Sequence, residues 1–200
     1  MNRQCHTHAR SSESGQLSHV AKDYMDAFFC IVEQMMNDMM RAALCGSISH
    51  NFIVQMIPHH EAAIGMSENI LRYTTCMPVQ TFAESVIGEQ SESIAQMQSI
   101  LQECSMQCNS EQDVRRYQCE ADQVMNAMFE ELSRMCASNR INADYLRAMM
   151  IHHRGGIALC ECTLRYDLCP QLRTMLREMI MSQRKDMQQM RRILRCAGCQ

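Results

Sequence analysis

The chain has 200 residues, 46% of them hydrophobic, with a formal charge of −3 and a pI near 6.2. That is enough apolar content for a substantial core without help from disulfides, and it offers no overall attraction to nucleic acid or an anionic membrane surface. No apolar run approaches the length of a bilayer span, and Met1 to Ser18 is polar with no apolar signal core, so neither a transmembrane helix nor a secretory signal is expected.

Only 3 Pro and 7 Gly stand against 21 Met, with no Trp and 5% aromatics. This is a helix former's composition, and an all-α fold without strands is expected. Residues 1–18 read as a flexible, Ser-rich tail. From Val20, apolar residues recur at Tyr24, Phe28, Ile31, Met35, Met39 and Ala43, a helical stripe that stops at Gly46. A second helix begins near Ser49, with Pro58 either kinking or dividing it. Pro78 fits the first turn of a third, whose stripe runs Val79, Phe82, Val86, Gln90, Ile94, Met97, Leu101 and Cys104. Ser110 to Asp113 resembles a capping box opening a fourth helix, which ends in the turn Ser138 to Asn142. A fifth runs from about Asn142 to Tyr166, and Pro170 opens a sixth. Short connections favour antiparallel neighbours.

Within this order a frame repeats. Phe52 to Met66 carries His59-His60, Tyr145 to Leu159 carries His152-His153, and the pairs lie 93 residues apart. At the same shift Leu71 meets Leu164, Cys76 meets Cys169, Gln90 meets Gln183, Met97 meets Met190 and Leu101 meets Leu194. The chain reads as a tandem duplication, residues 19–108 and 109–200, packed as one unit.

Met56-Ile57-Pro58-His59-His60, followed by Ala63-Ile64 and Met66, then Ile87, Glu89-Gln90, Ile94 and Gln96-Met97, closely resembles the DUF305 family of small, mostly exported helical proteins, some of which bind copper. The first half matches from about Asn51 to Leu101 and the second more loosely from about Asp144 to Leu194. The resemblance implies a ferritin-like helical bundle built from two three-helix repeats and a role in copper handling, with no established catalytic reaction. It also favours an extracytoplasmic location, against the polar amino end; a virion protein assembled without export is a further option. The departures are Ile151 for Pro58, Leu159 for Met66, and 13 Cys that the family pattern does not call for.

On a helix, residues three, four and seven apart share a face, so Met56, His59, His60 and Met66 offer imidazole and thioether donors together. Met97 completes the set from the third helix. That mixture suits Cu(I), whose softness favours sulfur. Met149, His152, His153 and Met190 repeat it as a weaker relative, with Cys160 replacing the lost thioether. Histidine protonation near pH 6.5 is expected to release the metal. The competing reading places one ring of each pair in the core and the other in solvent, with no metal. Gln90 and Gln183 interrupt apolar stripes at equivalent positions, as partners for a ligand histidine or for a helix-helix hydrogen bond.

Other groups leave alternatives open. Met35, Met36, Met39 and Met40 are a copper-transport cluster or flexible core filler. Cys5, His6 and His8, and Cys196 with Cys199, have ligand-compatible spacing but too few donors for a structural zinc site. Cys104 and Cys108 are a metal pair or a strained disulfide, whereas Cys76 and Cys169, near helix junctions, are expected to be cross-linked if the protein lives outside a reducing compartment.

No Glu-x-x-His pair of a di-iron bundle occurs, and no nucleophile motif of a hydrolase. The sequence therefore reads as a non-enzymatic copper-binding protein, its partner a metal ion, with homo-oligomer or assembly contacts possible. The alternative is a structural or interaction module, disulfide-bonded in a virion or extracellular assembly, and between the two lies a multi-copper thiol store with its cysteines inside the bundle.

Overall fold

A computed structural model describes residues 16–195, which fold into six helices with no strand among them: α1 (His19–Met40), α2 (Ile48–Leu71), α3 (Met77–Ser105), α4 (Glu111–Ser133), α5 (Ile141–Thr163) and α6 (Pro170–Arg195). Cys5, His6, His8, Cys196 and Cys199 lie outside the described residues.

Each start has a local cause. The Ser18 hydroxyl accepts from the Ala21 N–H at 3.1 Å. Ser47, rather than Ser49, caps α2 by accepting from the His50 N–H at 3.2 Å, and its own hydroxyl donates to the Cys104 carbonyl at 2.8 Å. Pro78 sits in the first turn of α3, where its missing N–H is harmless. Ser110 accepts from the Asp113 N–H and donates to its carboxylate. The first helix ends at Met40, before Gly46 is reached. Pro58 lies inside α2 and does not divide it.

The packing follows the repeat. In each half the middle helix packs against both others, α2 on α1 and α3, α5 on α4 and α6; between the halves, the principal contacts join α2 to α5, α3 to α6 and α1 to α4. Each helix thus meets its own counterpart, as in a two-fold arrangement. The consequence is that α2 and α5 are central. They bury residues around most of their circumference, polar ones included, and some of those polar groups find partners: Ser67 with the Tyr145 hydroxyl at 2.8 Å, and Asn69 donating to the Tyr24 carbonyl at 3.0 Å. Around them Tyr24, Phe28, Phe52, Phe82 and Tyr117 are fully buried, each contributing about 1.5–3 kcal/mol by removal from water.

Covalent and polar ties fasten the halves at one end. Cys104 at the end of α3 is disulfide-bonded to Cys169 before α6, not to Cys108, which is exposed as a thiol. With a sequence separation of 65 between the two cysteines, the chain-entropy contribution is about 4 kcal/mol. Cys76 is disulfide-bonded as well. Asn109, between the halves, accepts from the Ile48 N–H and donates to the Asp167 carbonyl.

Of the methionine group, Met35 and Met39 are core residues and Met36 packs against the core, whereas Met40 is 69% exposed. Among the described residues the free cysteines do not gather as a thiol store would require: Cys45, Cys108, Cys119 and Cys136 are on the surface, and Cys160 and Cys162 are buried. No helix among the described residues is long and apolar enough to cross a membrane.

Candidate metal centre at the histidine seam

Two consecutive residues on a helix project about 100° apart, so both rings of a His-His pair are buried only where the helix is covered on two sides. α2 and α5 meet that condition. His59 and His60 are each 1% exposed, and His152 and His153 are 0% exposed. The expectation that one ring of each pair faces solvent is therefore wrong, because the halves pack through the very helices that carry the pairs.

The rings divide by the same rule in both halves. The first of each pair turns to the opposite half: His59 and His152 stack across the α2/α5 seam, ring centroids 3.7 Å apart and planes 26° from parallel. The second turns to the third helix of its own half. His60 Nε2 meets Ser93 Oγ on α3 at 3.1 Å, and His153 Nε2 meets Asp186 Oδ2 on α6 at 3.2 Å. In both cases the partner lies 33 residues on. The two histidine pairs, separate sites in the sequence reading, share one interface.

Electrostatics keeps three of these rings neutral. Burial, then the neighbouring His153, pushes His60 down to about 3. His59 and His152 are held well below the ordinary imidazole range by burial first and by neighbouring histidines second. A neutral ring has one N–H and one lone pair, and hydrogen bonds decide which nitrogen carries which. His152 Nε2–H donates to the His59 carbonyl at 2.9 Å, which leaves its lone pair on Nδ1, and His153 Nε2–H donates to the Asp186 carboxylate. All four Nδ1 atoms are buried without a hydrogen-bond partner, as is His59 Nε2. Unpaired buried nitrogens are costly, and a metal ion is one group that satisfies them.

The sulfur donors are buried beside them in sequence. Met56 and Met66 lie on α2, Met97 on α3, Met149 and Cys160 on α5 and Met190 on α6, each no more than 1% exposed and all in one continuous core. Burial also pushes the Cys160 thiol far up, so it is present as the protonated thiol. Among the described residues no three His, Cys, Asp or Glu side chains are assembled to hold a metal. A sphere of three or more ligands here would have to draw on thioethers, which suit soft ions.

Ser93, Asp186 and Gly156 were missed by the sequence reading. Asp186 had a signal, a carboxylate on the inward face of α6 in register with His153. Gly156 had none. A Cβ built there would lie 2.8 Å from Gln183 Oε1 and 3.0 Å from His59 Cε1, so the missing side chain is what admits the His59 ring against α5. Gly156→Ala is expected to destabilise the protein by about 1–3 kcal/mol in urea unfolding, although helix propensity alone favours alanine by about 1 kcal/mol. A neutral or stabilising result would show that the seam has room to spare. The Oε1 atoms of Gln90 and Gln183 have no partner, so neither expected hydrogen bond engages these carbonyls.

The sequence profile described as "Domain of unknown function (DUF305)" matches residues 49–194. Comparison with curated proteins finds no sequence match. Among solved structures, the chain is similar to a DUF305 fragment from Deinococcus radiodurans, at TM-score 0.54 and 21% identity, over 76% of this chain and 97% of that one. It is also similar to CopM in the Ag-bound form obtained by soaking, at TM-score 0.53 and 20% identity, over 72% of this chain and 92% of that one. CopM in the Ag-bound form obtained by co-crystallization gives TM-score 0.52 at 20% identity. At these identities the similarity is one of fold.

Proposed function

This chain belongs to the DUF305 family, and from that premise we propose that it is a non-enzymatic protein that binds a soft monovalent metal ion, Cu(I), as cargo at the histidine seam. The observation that carries the reading is the set of four buried imidazoles whose Nδ1 atoms have no partner. His59, His60, His152 and His153 would supply nitrogen, and Met56, Met66, Met97, Met149, Met190 and Cys160 are the sulfur donors within the same core. The second-half group acts with the first as one binding unit, because His59 and His152 are in contact. Not every donor binds at once, since Cu(I) takes few ligands. The Ag-bound form of CopM adds support, Ag(I) being a soft ion with the same preference for sulfur and imidazole.

The deciding experiment separates imidazole from thiol. Surface thiols are alkylated on folded protein, and Cu(I) is titrated against a chromophoric chelator with elemental analysis of the product. Tight binding in defined stoichiometry after alkylation is expected. Loss of binding on alkylation would transfer the metal to the cysteines. Absence of metal from both forms would favour a structural module, a reading supported by the Cys104–Cys169 cross-link between the halves.

A further inference from the structure

We propose that the cleft between α3 and α6 is a metal-admission site, in which a soft cation is first captured by Met175 and Met179 under Glu89, Glu92 and Glu178 and then passed to His60. This rests on the reading of the seam as a metal centre.

The cleft has a volume of about 200 Å³ and its inner wall includes His60, Gln90 and Gln183. These three are at most 5% exposed, and each presents a buried polar atom without a partner, His60 Nδ1 and the Oε1 atoms of both glutamines. The mouth carries three exposed carboxylates and no basic residue lines the space. Between mouth and floor stand the thioethers of Met175 and Met179, only 8% and 6% exposed. From outside inward a cation therefore meets carboxylate, then thioether, then imidazole. The order is from hard, hydrated binding to soft, dehydrated binding, and each transfer is ligand exchange with no change of oxidation state.

The repeat supplies an internal control. On the counterpart surface, 93 residues away in register, Lys185 stands for Glu92, Ser85 for Glu178, Phe82 for Met175 and Val86 for Met179. Phe82 and Val86 are buried, so the way to His153 is filled with hydrocarbon; Lys185 replaces one of the mouth carboxylates, and the carboxylate of Asp186 is buried against His153 itself. Ser182, which donates to Glu89 at 2.7 Å, is the register counterpart of Glu89 itself and marks the boundary between the two faces. Of the two approaches to the shared seam, the one to His60 is an open cleft with carboxylates at its mouth.

The test measures loading rather than affinity. Aqueous Ag(I), delivered as the nitrate, is mixed with the full chain in stopped flow, and the association rate is followed at several ionic strengths. Glu89→Gln/Glu92→Gln/Glu178→Gln is expected to slow association about tenfold at low salt and to flatten its salt dependence, since removing the local field removes the steering. Met175→Leu/Met179→Leu, which leaves all charges in place, is expected to slow association at every salt concentration. Removing three exposed carboxylates from α1, Asp23, Asp26 and Glu33, serves as the charge control and leaves the rate at the wild-type value. Wild-type rates in both cleft variants, or an equal fall in the α1 control, would overturn the admission site while leaving the seam standing. Failure of the wild-type chain to take up Ag(I) would overturn both.

Discussion

Replacing His59, His60, His152 and His153 together by leucine is expected to weaken Cu(I) binding by about 100-fold or more, the scale on which even supporting groups of metal ligands act. Leucine is chosen because it fills most of the ring's volume without leaving a new buried polar atom; helix content by circular dichroism checks that the bundle persists. The two half-substituted proteins distinguish the shared seam from independent sites. The sequence alone predicts a larger loss for His59 with His60 than for His152 with His153. Stacking of His59 on His152 predicts comparable losses, because either change removes one face of the same interface. A competition titration under reducing conditions measures all three, and unchanged affinity in the fourfold variant would remove the histidines from the site.

The second large effect is on stability against pH. His59, His60 and His152 are held below the ordinary imidazole value in the folded protein, whereas in the unfolded chain they titrate near 6.5. Below that pH the unfolded state binds more protons than the folded one. The free energy of unfolding therefore falls as pH falls, beginning near 6.5 and continuing to about 3, the value to which His60 is pushed. Between pH 6.5 and 4.5 the loss from His60 is about 2 kcal/mol, and His59 and His152 act in the same direction. Asp144, raised by burial, works in the opposite sense but is a single group. Urea midpoints of metal-free protein should fall steeply over this range and more gently in the fourfold leucine variant. A midpoint constant from pH 6.5 to 4.5 would mean that the seam opens and hydrates its histidines in solution. Because dehydrated rings resist protons, acid release of a bound metal is expected below the pH of about 6.5 that a free imidazole would give.

Helix boundaries were legible in sequence to within a few residues because their causes are local. Ser18 and Ser110 cap with their own side chains, Pro78 and Pro170 open their helices, and apolar stripes of helical period face the core. Long-range partners were not legible in the same way. Ser47, the cap of α2, also donates to the Cys104 carbonyl, and Ser49 accepts from the Cys169 N–H at 3.0 Å. Cys104 pairs with Cys169 across 65 residues of chain, which no spacing rule between neighbours reveals.

The all-α class and the 93-residue register were legible in the sequence, since composition, periodicity and repetition are properties of a string. Only the tertiary structure decided which neighbour each histidine meets. A helix gives adjacent residues directions about 100° apart but does not say what stands in either direction. Packing each helix on its counterpart made α2 and α5 central and placed His59 against His152. The same packing gave His60 and His153 their equivalent anchors on α3 and α6, and left four Nδ1 atoms without partners. The physical reason is that burial and contact depend on both halves at once, and information about one helix cannot specify the surface that covers it.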